Sequence, residues 1–195
     1  NAMSSAQLQA IETADVAALT TAQVAKLGTA AISNLSTAQI VAMGSAQFAA
    51  LTAAQLKALS TAQLVVIDTV DVAALTTAQI AALSSSAVAA LTDTSTGQVA
   101  ALTSAQAAAL SSAAVSGLST AQIARLSSAQ LNALSATQLN AMSSAQLRAI
   151  ETADVAALTT AQVVKFDTSA ISELSTAQIV AMGSAQFAAL TAAQL

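Results

Sequence analysis

The sequence predicts an all-α solenoid of short capped helices, one per eight-residue repeat. Three observations predict it: an octapeptide pattern running through nearly the whole chain, a helix-start signature inside each octapeptide, and a repeat length that a continuous helix cannot use. From Ser4 the 195 residues parse into copies of S/T-S/T-A-Q-L/V/I-x-A-L, as in Ser36 to Met43, Thr76 to Leu83 and Ser119 to Leu126. Copies 1–11 fill residues 4–91, Thr92-Asp93-Thr94 are inserted, and residues 95–195 hold copies 12–23 plus a partial one, the whole forming one continuous solenoid. Residues 1–3, Asn1-Ala2-Met3, read as an expression-tag remnant and start, outside the array.

Within the octapeptide, position 1 is Ser, Thr, Asp or Gly in 21 of 23 copies, and position 4 is Gln or Asp in 19. That is a capping box: a hydroxyl at the N-cap accepts from the backbone N–H three residues on, and Gln at that site reaches back to the N-cap amide. The acidic pairs Glu12/Asp15, Asp68/Asp71 and Glu151/Asp154 occupy the same two slots, where a helix N-terminus favours carboxylates. Ala at positions 3 and 7 adds the highest helix propensity. Position 5 is large and apolar in every copy but one, where it is Ala107, and position 8 is Leu, Ile, Met or Phe in all 23. Position 8 of one copy and position 5 of the next fall where a hydrophobic staple places its two residues.

Eight residues advance about 800° along an α-helix, so in an unbroken helix the apolar pair would drift about 80° per copy and no buried stripe would form. The helix must break in every copy, near positions 8 and 1. Helices of about six residues do not stand alone in water, so they must stack on one another. Positions 5 and 8 then face inward and positions 1, 2 and 6 outward. A β-solenoid is the competing architecture, opposed by Ala, Gln and Leu and by the lack of strict alternation. Disorder is opposed by a 55% hydrophobic composition with fixed apolar positions. The three inserted residues should lengthen one turn or helix and disturb the regular path there.

A longer period overlies the octapeptide. The position-4 series Asp15, Gln23, Ala31 followed by four Gln fills copies 2–8, copies 12–18 echo it with Ala114 in third place, and the order returns as Asp154, Gln162, Ala170, which marks a block of seven octapeptides. Residues 4–56 and 143–195 differ at only six of 53 positions: Gln9/Arg148, Ala25/Val164, Leu27/Phe166, Gly28/Asp167, Ala30/Ser169 and Asn34/Glu173. The array grew by duplication of blocks.

Composition narrows the function. Cys, His, Pro, Trp and Tyr are absent, so there is no imidazole or thiol for a catalytic triad, a tetrahedral zinc site or a His- or Cys-ligated haem. The reading is therefore not an enzyme, with no catalytic, cofactor-binding or metal-binding residue and no cofactor. The paired acids could approach a cation, but two carboxylates fall short of the six to eight oxygens calcium takes, and capping explains them. Rows of Ser and Thr at positions 1 and 2 are what helix starts require. Five Lys and Arg against nine Asp and Glu, with no aromatic stacking platform, argue against a nucleic-acid partner. Polar residues such as Ser36, Gln39, Ser45 and Gln47 interrupt the uncharged stretch from Leu27 to Leu56 and argue against a membrane span.

Tandem copies such as Thr76-Thr77-Ala78-Gln79-Ile80-Ala81-Ala82-Leu83 resemble the octapeptide arrays of very large bacterial surface exoproteins of the haem-utilisation or adhesion type. The resemblance covers essentially the whole chain after Met3. It implies export, an extracellular or cell-surface location and a role in adhesion; the haem part of the name finds no axial-ligand residue here. The expected function is a non-catalytic structural spacer or stalk of an adhesin, its partners the neighbouring repeats of the same long chain. The alternative is a solenoid binding module for a host protein or glycan, disfavoured by a position 6 without clustered aromatic or Arg anchors.

Overall fold

The computed structural model describes residues 3–195. The tag-remnant reading of the first residues lies, for Asn1 and Ala2, outside them; in sequence the same three residues recur as Asn140-Ala141-Met142, the last three positions of an octapeptide. Among the described residues there are 23 short helices and no strand, from α1 (Ser5–Gln9) to α23 (Ser184–Ala189), one per octapeptide.

Most of the helices start where a hydroxyl cap stands. Ser36 Oγ accepts from the Gln39 N–H at 3.2 Å while the Ser36 N–H donates to Gln39 Oε1 at 2.8 Å, and the reciprocal pair recurs from Ser4 to Ser175. At Gly44 and Gly183 half of it survives, because the glycine N–H still donates to Gln47 or Gln186 Oε1. The chain leaves the helix through extended residues at positions 8 and 1, as at Leu27 (φ −62°, ψ 140°) and Ser36 (φ −68°, ψ 159°). Among the described residues no φ is positive, so the turn needs neither glycine nor a left-handed residue, and Leu can close a helix while it fills the core.

The short helices pack on those three places along the chain. Thus α2 (Thr13–Ala17) lies on α5 (Thr37–Ala42), α3 (Thr21–Lys26) on α6 (Ser45–Ala50), and α20 (Thr160–Val163) on α23. Positions 5 and 8 form one continuous core along the molecule, including Val24, Ile32, Phe48, Leu83, Leu139 and Leu147. The outward assignment holds as well: Ala81 is exposed, and Val41 and Val180, also at position 6, are 56% and 83% exposed.

The insertion lengthens a turn, as expected, but inside a capping box. Thr92 remains the cap: its Oγ1 accepts from the Gln98 N–H at 2.8 Å, and its own N–H donates to Gln98 Oε1 at 3.1 Å, six residues apart instead of three. Ser95 does not take that role. The loop closes on itself through Gly97, where a Cβ would lie 2.8 Å from the Thr92 carbonyl oxygen, and α12 (Gln98–Ala101) resumes behind it. The expected disturbance of the path is therefore confined to this bulge, because the bonds between coils continue across it.

Candidate functional site

The most built feature of the molecule is a line of glutamine carboxamides at position 4. The capping box uses only Oε1. In the interior the two Nε2 protons point into the preceding coil and donate to the carbonyls at positions 5 and 8 of the helix four copies earlier, except at Gln162, whose Nε2 donates to the position-6 carbonyl of Asn132. Gln39 Nε2 donates to the Leu8 and Ile11 carbonyls at 2.8 Å each, Gln55 to Val24 and Leu27 at 2.8 and 2.7 Å, and Gln178 to Leu147 and Ile150 at 2.8 Å each. The acceptors are carbonyls that a helix C-terminus leaves without a partner of its own. One side chain thus caps the start of its own helix and the end of another.

Contacts to the third helix on one side and bonds to the fourth on the other set the coil at more than three and fewer than four octapeptides. The geometry also selects glutamine. Glutamate could complete the capping box but has no proton to donate, and asparagine is one carbon shorter. Because the ladder amides are fully bonded they are tolerated in the core, Gln39 and Gln55 at 1% exposure each. Across the insertion the partners lie 34 and 31 residues back, as for Gln106 to Val72 and Leu75, and by Gln130 the ordinary separations of 31 and 28 have returned. The bulge adds three residues to one coil and costs the ladder nothing.

Where position 4 is not Gln, the ladder is interrupted. Ala31, Ala87, Ala114 and Ala170 carry no donor. Asp71 and Asp154 accept instead from the helix three copies earlier, from Ser45 Oγ at 2.5 Å and Ser128 Oγ at 2.7 Å. This corrects the capping role expected of the acidic pairs: Glu12, Asp68 and Glu151 stand at the N-cap but make no side-chain cap bond. Aspartate at position 4 is too short to copy the double reach of glutamine and settles on a neighbouring hydroxyl. Among the described residues no three acidic side chains gather into a metal-binding group.

A second set of links runs from position 6 to the helix three copies later. Asn132 Nδ2 donates to the Ala157 carbonyl at 3.1 Å, Asn140 Nδ2 to Lys165 at 3.0 Å, and Arg148 pairs with Glu173 through its carbonyl at 2.9 Å and its carboxylate at 3.0 Å. The ion pair is exposed and worth about 0.2–1 kcal/mol. Beside it lies a shallow cleft lined by Asn140, Ser143, Ser144, Ser169, Ala170 and Glu173, and a matching one lies at Ser4, Ser5, Ala30, Ala31 and Asn34. Both open where Ala replaces Gln at position 4, so they are gaps in the ladder at equivalent places of the long repeat. Asp167, which replaces Gly28, caps α21 (Thr168–Glu173) by accepting from the Ala170 N–H at 2.7 Å. That bond, and then the Ser169 hydroxyl, hold its carboxyl below the usual carboxylate range.

No helix among the described residues is long and apolar enough to cross a membrane. The ladder was missed in the sequence, although one signal pointed to it: position 4 is never Glu in 23 copies, which a capping box alone would accept as readily as Gln. No curated protein and no solved structure matches the chain. A family model described as the ALTTAQ repeat matches eight overlapping segments, residues 1–29, 24–53, 40–69, 64–94, 115–150, 137–168, 147–183 and 163–195; the chain belongs to the ALTTAQ repeat family.

Proposed function

We propose that the chain is a non-catalytic structural spacer or stalk within a bacterial cell-surface or secreted adhesin. The observation that supports this reading is the ladder: every full coil is bonded to the one before it through side chains that belong to the repeat itself, so length grows with copy number without new contacts being invented. A stalk needs this property and little else. The outward positions are mostly Ser and Thr at positions 1 and 2 and Ala or Val at position 6, a chemically quiet surface that suits holding something else at a distance. The test is to shorten the array in the parent protein by one seven-octapeptide block and measure reach and attachment separately. Attachment that weakens in step with length, while the isolated chain binds no host surface or glycan array, supports the spacer. Binding by the isolated chain replaces it with the alternative of a host-protein or glycan module.

A further inference from the structure

Two devices hold one coil on the next, and where one fails the other can take its place. Carboxamide rungs run unbroken where residues 36–67 lie on residues 4–35, at every position 4 from Gln39 to Gln63, and again where residues 119–150 lie on residues 84–118, from Gln122 to Gln146. Residues 151–174 carry Asp154, Gln162 and Ala170 at position 4, and there the position-6 links take over. Asn132 donates Nδ2 to the Ala157 carbonyl and accepts from the Thr159 N–H at 3.3 Å; Asn140 donates to the Lys165 carbonyl and accepts from the Asp167 N–H at 3.0 Å. Asparagine thereby holds the N-cap amide that a position-4 glutamine holds elsewhere. Accordingly α20 has no capping box, and Gln162 bonds the Asn132 carbonyl instead.

One interior junction has neither device in full. Residues 68–91 lie on residues 36–67, and their position-4 residues are Asp71, Gln79 and Ala87. Gln79 supplies one full rung, to Phe48 and Leu51, and Asp71 a single bond with Ser45. Ala87 supplies none: it stays half-buried where the interior glutamines are covered, the Leu56 and Leu59 carbonyls receive no carboxamide, and α11 (Ser85–Ala89) is capped by the Ser84 hydroxyl alone. Position 6 of the underlying copies is Ala49, Lys57 and Val65 in place of Asn132, Asn140 and Arg148, so no latch makes up the loss. Beyond this junction Gln98 and Gln106 restore the rungs. The gap at Ala114 is met by close packing, since a Cβ on Gly117 would lie 2.8 Å from Ser85 Cβ. The apolar core itself passes through residues 68–91 unchanged, with Val72, Ile80 and Leu83 buried. The junction is closed but lightly bonded. We infer that residues 68–91 form a joint in the array: they part from residues 36–67 before any other interior coil opens, and the fully bonded segments on either side move about them. The joint follows from the bonding alone, whether or not the array is a stalk.

Native-state backbone hydrogen exchange of the whole chain, read peptide by peptide in a mass spectrometer, measures opening segment by segment. With one full rung where residues 119–150 have four, residues 68–91 are expected to exchange at least about tenfold faster than 119–150 after correction for intrinsic rates. Two variants at Ala87 identify the cause. Ala87→Gln completes the cap at Ser84 and brings two donors to the Leu56 and Leu59 carbonyls, so exchange should slow about tenfold over residues 84–91 and also over residues 52–59 beneath them. Ala87→Glu completes the same cap but has no proton to donate, so residues 52–59 should keep the parent rate. Equal protection of residues 68–91 and 119–150 would overturn the joint. So would an Ala87→Gln variant that leaves residues 52–59 unchanged, or an Ala87→Glu variant that slows them as much.

Discussion

Residues 4–56 and 143–195 are nearly the same sequence placed at opposite ends of one solenoid, and the same side chains fare differently in the two places. Gln7 is exposed and Gln146, its equivalent, is 3% exposed; Phe48 is 0% exposed and Phe187 is 37%. The octapeptide decides which way a side chain points. Whether that direction is covered depends on the coil before or after it. Burial in this fold is therefore a property of position in the stack, and an octapeptide has a stability only together with its neighbours three and four copies away.

The largest break in this comparison comes from the interior, where both neighbours are present. Leu83→Asp places an unpaired carboxylate at a 5% exposed core position and removes a staple, at a cost above the ~4 kcal/mol that marks an exceptional substitution. Ala81→Lys, two residues away and outward, should cost about 0.5 kcal/mol or less. Thermal melts followed by circular dichroism separate them, and equal melting temperatures would mean that the inward and outward faces are misassigned.

A sharper version uses the duplicated aromatic. Phe48→Ala should cost about 3–5 kcal/mol, the usual range for a fully buried ring, whereas Phe187→Ala, with no coil over it, should cost less than half as much. Denaturant unfolding of the two single variants reads this directly; similar values would show that neighbours matter less than the octapeptide. The glutamines give the next contrast. Gln146→Glu leaves the Val115 and Leu118 carbonyls without their donor and brings a charge beside them, for about 2–4 kcal/mol. Gln7→Glu, with nothing beneath it, should be neutral within about 0.5 kcal/mol at concentrations where the chain is dispersed.

The smallest effect concerns one of the six differences between the ends. Asp167 caps a helix that Gly28 leaves without a side-chain cap. Its carboxyl titrates below the usual range in the folded chain, so its contribution is present above about pH 4 and is lost as pH falls through the lowered value. Asp167→Asn should flatten that part of the acid limb of a stability–pH curve, and an unchanged limb would remove the cap from the account.

Much of this was legible beforehand. The period, the caps at Ser4, Thr20 and Ser36, and the inward facing of residues such as Leu56 and Leu83 follow from local rules that act within eight residues. What escaped was the second function of glutamine, because its partners lie 28 and 31 residues away and nothing within the octapeptide names them. The insertion lengthens a turn as expected, but how locally it is absorbed was not legible, for a related reason. Three extra residues look disruptive when counted along the chain, but the box at Thr92 and Gln98 can stretch, and the coils register on position 4, not on chain length. The acids at Glu12 and Glu151 were read as caps from their place in the pattern, whereas the carboxylate that finds a partner is the one at position 4, in Asp71 and Asp154.

The central claim is that position-4 carboxamides bond successive coils together. Side-chain amide hydrogen exchange by NMR, on dilute and dispersed protein, tests it most directly, since each Nε2 group reports its own protection. The account predicts slow exchange at the interior glutamines, such as Gln39, Gln55, Gln79, Gln122 and Gln146, and rates close to those of a free carboxamide at Gln7 and Gln23. Uniformly fast exchange at all of them would contradict it.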